Sequence, residues 1–176
     1  MQALNVKYIL GFMLLSLIST GHAETFLTVE QAKGELFANT PMKKMDLTLS
    51  NAQVEAIEDA SDMRVLSNKL NAWKTQSNEW FLVDQVIGKH EMIDMAVGID
   101  SSGKIKGLRV LRYVESYGSE VRYIKWLDQF NGRDSSEKLL LDKQIDNISG
   151  ATLSCRHITD GVNRWTHTWQ QVLQHL

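Results

Sequence analysis

From Leu153 to Leu176 the chain places Cys155, Ile158, Val162, Trp165, Trp169, Val172 and Leu176 at gaps that alternate between three and four. That spacing is one face of an α-helix, and a stripe of this length has to be buried against another layer. The seven residues in front of it, Asp146-Asn147-Ile148-Ser149-Gly150-Ala151-Thr152, read as the turn that opens the helix. Gly150 allows a sharp bend and leaves no side chain in the way. Ser149, Thr152 and Ser154 supply hydroxyls where N-caps are wanted. The free N–H groups of such a first turn, with the helix dipole, favour a phosphate. A capped helix needs no ligand, so the turn alone leaves both readings open.

The layer that covers the helix is expected in the middle of the chain. Trp80 to Gly88 is one strand, and His90 to Asp100 is the next, with Ile93, Met95, Val97 and Ile99 on one face. Asp100-Ser101-Ser102-Gly103-Lys104 is a turn by composition. Ile105 to Val114 returns as a third strand, apolar on both faces and therefore expected to be central. Short connections make the three an antiparallel meander. Before them, Thr28 with Gln31 and Ser50 with Gln53 have capping-box spacing, which predicts two short helices, the first of about nine residues and stopped before Pro41. Asp62 to Gln76 fits a loose helix or a strand through Met63–Leu66. Val121 to Phe130 predicts a helix of about ten residues. The fold class is α+β: a twisted, mainly antiparallel sheet packed by helices, with a long C-terminal helix.

Residues 1–23 read as a secretory signal: Lys7, an apolar run from Tyr8 to Ile18, and small residues up to Ala23, after which cleavage is expected. The run is about eleven residues, shorter than the roughly twenty of a membrane span. Retention as an anchor over residues 8–20, facing the periplasm, is the alternative. The rest is enough for one domain with a real core. The formal net charge is −2, with no basic block, so nothing suggests nucleic acid. Cys155 is the one cysteine. That excludes an internal disulfide framework, a Cys-x-x-Cys-His haem site and a self-contained iron–sulfur cluster. Electron transfer by such a chain would need an organic cofactor. His90, His157, His167 and His175 lack a metal-ligand spacing. There is no Walker loop, no Gly-x-Gly-x-x-Gly and no Gly-x-Ser-x-Gly elbow.

A second stretch, Glu115-Ser116-Tyr117-Gly118, ends a strand and precedes a helix, where a ligand loop is expected. Gly118 permits a positive φ or a close approach of backbone to a flat ring. A plain connector with a capping serine is the other reading.

The Asp-x-x-Ser-Gly-Ala-Thr turn resembles the flavinylation motif of the FMN-binding domain family, which includes periplasmic flavin subunits of sodium-pumping NADH:quinone oxidoreductase and its ion-motive relatives. The resemblance runs from about Trp80 to Trp169. It implies three parts: a signal (1–23), an N-terminal helical and extended segment (24–79) and the FMN-binding domain (80–176). It implies that an FAD:protein FMN transferase attaches FMN through its phosphate to Thr152, with Ser154 as the rival hydroxyl. Asp146, Ser149, Gly150 and Ala151 would shape the turn, Asp146 being alternatively read by the transferase. The family carries a Glu-Thr-Pro-Gly-like stretch against the flavin ring; here Glu115 and Gly118 match, while Ser116 and Tyr117 depart from it. The implied function is an exported flavoprotein that passes electrons between partners outside the cytoplasmic membrane, the donor and acceptor being unknown. A non-redox binding or adaptor module using the same pocket is the alternative. A flavin reductase lacks an acid, base or nucleophile set.

Overall fold

The computed structural model describes residues 24–115 and 117–176. The expected signal and Ser116 lie outside the described residues. Two helices start where the capping boxes place them. In α1 (Val29–Phe37) the Thr28 and Gln31 side chains each accept the other's backbone N–H, and Ser50 and Gln53 do the same for α2 (Asn51–Ser61). Each exchange satisfies two amides that a helix start leaves free. Ala38 ends α1 in the left-handed conformation, before Pro41.

Six strands, β1 (Glu24–Thr25), β2 (Met42–Thr48), β3 (Lys69–Thr75), β4 (Trp80–Ile87), β5 (Met92–Ile99) and β6 (Ile105–Tyr113), form one sheet in the order β1-β6-β5-β4-β3-β2. Every pair is antiparallel. The α+β expectation and the β4-β5-β6 meander are what the chain adopts. Several details differ. β6 is not central: only the two-residue β1 lies beyond it. It is apolar on both faces because helices cover both, with Leu108 and Val110 in one core and Leu111 in the other. The ambiguous stretch is strand at Lys69–Thr75, not at Met63–Leu66. β2 was not foreseen. Its Met42-Lys43-Lys44-Met45 start hides the alternation, and its lysines suit an open sheet edge. The single helix expected over Val121–Phe130 is three short pieces: 3₁₀ turns at Ser119–Arg122 and Asp128–Phe130 flank a one-turn α3 (Ile124–Leu127).

The last helix, α4 (Thr152–Gln171), crosses the sheet. Cys155, Ile158, Val162 and Trp165 are fully buried against Trp80, Leu82, Met95 and Val97. Burying each of the larger side chains contributes about 1.5–3 kcal/mol. The helix stops before Val172, leaving Leu176 exposed rather than on the buried stripe. An ion pair between a buried arginine and a half-buried aspartate fixes its register. Arg164 Nη2 donates to Asp84 Oδ2 at 2.9 Å and to the Gln85 carbonyl, while Trp165 Nε1 donates to the same carboxylate oxygen at 2.7 Å. The opposite sheet face carries a smaller core, in which α1 sets Ala32, Leu36 and Phe37 on Phe81, Ala96 and Leu111.

Candidate functional site

The fold brings the two singled-out stretches into contact. Gly118 has φ +84°, and a Cβ there would lie 2.9 Å from Ala151 Cβ, 3.2 Å from Ala151 Cα and 2.9 Å from the Tyr113 hydroxyl. Only a glycine lets the loop after β6 lie this close to the start of α4. On the other side, Ala151 N donates to Ile148 O at 2.9 Å, and Gly150 has φ +86°. With Gly150 in third position this is a type II turn, which requires the positive φ. Ser149 and Gly150 are exposed at its tip. Asp146 is exposed and held by its main chain: its N–H donates to Gln129 Oε1 at 2.8 Å and its carbonyl accepts from Trp126 Nε1 at 2.7 Å.

Tyr113, which the sequence reading did not select, ties the two stretches together. Its hydroxyl donates to the Tyr117 carbonyl at 2.6 Å and lies 3.2 Å from Ser154 Oγ. The carbonyl only accepts, so the Tyr113 proton goes there and Ser154 donates in turn. Burial pushes the Tyr113 phenol up, while the hydrogen bond with Ser154 acts the other way; a protonated phenol suits the donor role. Ser154 is 4% exposed. The rival hydroxyl is therefore committed to the core, whereas Thr152, the first residue of α4, is half-buried.

A cleft of about 440 Å³ opens beside this contact, within the usual range for small-molecule sites. The first turn of α4 forms one wall, from Gly150 to Ser154; Tyr113, Glu115 and Tyr117 form a second; Lys89 and His90 form the third. No side chain caps the start of α4. The amides of its first turn thus remain for an anion, with the helix dipole behind them. Leu153 and Tyr117 give the cleft exposed apolar surface, Tyr117 being 85% exposed.

Glu115 borders the cleft and is held by the main chain of the neighbouring hairpin. Its Oε1 accepts from His90 N at 2.6 Å and Glu91 N at 3.1 Å. Burial works to raise its pKa, but the amides of His90, Glu91 and Lys89 outweigh it and leave the carboxyl below its ordinary value. The carboxylate holds the β4–β5 hairpin tip so that Lys89 and His90 border the cleft. Lys89 escaped the sequence reading because a lone exposed lysine in a hairpin carries no motif. His157, near the phosphate-favouring turn in sequence, is occupied elsewhere: its Nδ1 lies 2.5 Å from the Ile87 carbonyl. Cys155 is buried, and burial raises its thiol pKa, so it is inert. Among the described residues no cluster of metal-ligating side chains occurs.

Comparison with known proteins matches residues 88–167 to the FMN-binding domain. The match runs from the β4–β5 hairpin tip through both cleft stretches into α4. The chain is 33% identical over 98 residues to the G component of the ion-translocating oxidoreductase complex of Aliivibrio fischeri, covering 48% of this chain and 47% of that one. It is 30% identical over 95 residues to the component of the same name from Photorhabdus laumondii, covering 48% and 46%. It is 27% identical over 89 residues to the G component of the Na(+)-translocating ferredoxin:NAD(+) oxidoreductase complex of Acetobacterium woodii, covering 46% and 43%. The matched segment thus spans less than half the length of each of these relatives. Residues 88–167, the segment that builds the cleft, are thus similar to the FMN-binding domain.

Proposed function

We propose that this protein carries FMN as a phosphoester on Thr152 and serves as an electron-transferring flavoprotein outside the cytoplasmic membrane. The observation that carries the reading is the seating of Gly118 on Ala151, which sets a flat-ring loop and an uncapped helix start on one cleft. The residues fit the group. Thr152 Oγ1 sits at the helix start, so a phosphate esterified there would meet the first-turn amides of α4 and the positive end of its dipole. Lys89 adds a cationic side chain across the cleft. Tyr117 and Leu153 offer apolar surface to a ring system. Gly150 leaves open space above the turn, for a Cβ there would meet nothing within 4 Å. When bound, FMN supplies one- and two-electron transfer, which no side chain of this chain provides.

Attachment follows from the chemistry of the turn. An FAD:protein FMN transferase would break the pyrophosphate of FAD, the Thr152 oxygen taking the FMN phosphorus as AMP leaves and the hydroxyl proton is lost. Covalent attachment suits an exported protein, which has no cytoplasmic flavin pool to draw on. The related proteins belong to ion-translocating oxidoreductase complexes by name. A membrane redox complex is accordingly the proposed partner, with the periplasm as the compartment.

The test is coexpression with such a transferase, read by intact mass and by in-gel flavin fluorescence after denaturation. The wild-type chain should gain one FMN phosphoester on the Thr152 peptide. Thr152→Ala should lose it while keeping its fold, and Thr152→Ser should retain it. Full flavin occupancy of the alanine variant would overturn the assignment. A wild-type Thr152 peptide left unmodified under the same conditions would favour a binding module.

A further inference from the structure

We propose that β2 is a docking edge for an extended, acidic segment of a partner protein, which adds to the sheet as a further strand. Among the described residues β2 ends the sheet and pairs with β3 alone, so one row of its backbone N–H and C=O groups has no strand to bond. Such an edge takes a strand by main-chain hydrogen bonds, and the side chains beside it select which strand. Two grooves flank the edge and share Met45. One, of about 540 Å³, holds Lys43 and Lys74 and no carboxylate side chain. The other, of about 560 Å³, holds Lys44 and Lys69 against Asp46 alone. None of the four lysines forms an ion pair among the described residues. The nearby acids are taken: Glu79, at the turn after β3, pairs with Lys106 at 2.7 Å, and Asp84 and Asp94, which share a groove with Lys69, pair with Arg164 and Arg112. A terminal carboxylate on Leu176, at the end of the first groove, would still leave the balance positive.

The register of the sheet specifies the occupant. Lys43 stands directly opposite Lys74, and like charges in that position destabilise a sheet. An acidic side chain laid beside Lys43 relieves the repulsion. Lys43 and Lys44 point to opposite faces, because successive strand residues alternate. Lys74 Nζ, on the Lys43 face, lies 5.5 Å from the Trp80 ring centroid, and Lys44 Nζ lies 5.1 Å from that of Trp73 on the other face. The segment that fits carries two consecutive acidic residues opposite Lys43 and Lys44, with apolar neighbours for the half-buried and adaptable Met42 and Met45. An uncharged strand fits worse, since it would strip water from both lysines and return no opposite charge. A second copy of β2 offers Asp46 as its one acid, so it leaves a lysine unmatched. The edge also lies away from the cleft. β4 runs from Trp80, opposite Lys74, to Ile87 at the hairpin beside the cleft, about 24 Å. A partner on β2 therefore leaves the cleft open, and docking there needs no flavin.

The test uses the full chain and peptides of seven residues, the length of β2. The first sets valines and threonines around two central glutamates. The second has lysines for the glutamates. The third keeps the glutamates but has prolines for its valines, which removes main-chain donors. Hydrogen exchange read by mass spectrometry should show the β2 amides slowed by the first peptide and by neither of the others, with the slowing weakened at high salt. Lys43→Glu with Lys44→Glu should reverse the choice, so that the lysine peptide slows β2 exchange and the glutamate peptide no longer does. No slowing by the glutamate peptide would overturn the proposal, as would equal slowing by the lysine or the proline peptide. Protection of β2 in the protein alone that grows with protein concentration would also overturn it and give the edge to a second copy of the chain.

Discussion

Gly118→Ala is the most direct probe of how the cleft is built. Two costs add. A non-glycine residue at φ +84° costs about 1–2 kcal/mol. The new Cβ would also lie 2.9 Å from both Ala151 Cβ and the Tyr113 hydroxyl, and overpacking of this kind costs about 1–3 kcal/mol. The expected total is about 3 kcal/mol, or roughly 6–12 °C in midpoint temperature for a domain of this size. Gly150→Ala is the internal control. Its φ is +86° but nothing lies within 4 Å of its Cβ, so only the backbone cost of about 1–2 kcal/mol applies. Thermal melts of the two variants isolate the packing contribution, and flavin loading by a coexpressed transferase reads its consequence for the site. Gly118→Ala should melt below Gly150→Ala and load poorly even at temperatures where it is folded. Equal melting temperatures, with full loading of Gly118→Ala, would refute the claim that this contact assembles the cleft.

Tyr113→Phe removes the donor to the Tyr117 carbonyl and leaves Ser154 without its acceptor, at a cost of about 1–2 kcal/mol. Chemical denaturation should show that loss, and peptide mapping should show slower loading of Thr152. Glu115→Gln should weaken the hold on the β4–β5 tip. Because the Glu115 carboxyl is held below its ordinary value of 4.5, the ionised form is the one the fold stabilises, and that stability is lost as pH falls below that value. Wild type should therefore lose its advantage over the glutamine variant on acidification, as melts across pH would show; a gap that stays constant through acid would contradict the carboxylate's role. Asp84→Ala strips the carboxylate from Arg164, which is 7% exposed in its side chain, and should cost about 3 kcal/mol in denaturant titration.

What the sequence made legible followed from periodicity and from turn chemistry. The alternation Ile93, Met95, Val97, Ile99 specifies one buried face, and all four pack in the larger core. The capping boxes at Thr28 and Ser50 are local devices, so they read correctly without tertiary information. β2 was harder because its edge position leaves Lys43, Lys44 and Asp46 exposed and erases the pattern. The pieces from Ser119 to Phe130 resemble one helix because Trp126 and Phe130 both have to be buried, yet their rings meet edge-on at 5.4 Å through a broken path. At the site, Gly118 and Gly150 could be selected because their backbone demands show in the residue type. Tyr113 and Lys89 could not, since their contribution depends on which loops the sheet sets side by side. Glu115 was selected, and the hold of its carboxylate on the hairpin tip shows only in the fold.

The cleft exists only where Gly118 has closed on Ala151, because its two walls come from stretches distant in sequence. A maturation enzyme that recognises the finished turn would find no substrate in a misfolded copy. Cofactor loading would then act as quality control, so that only molecules which completed their fold would enter the redox pool.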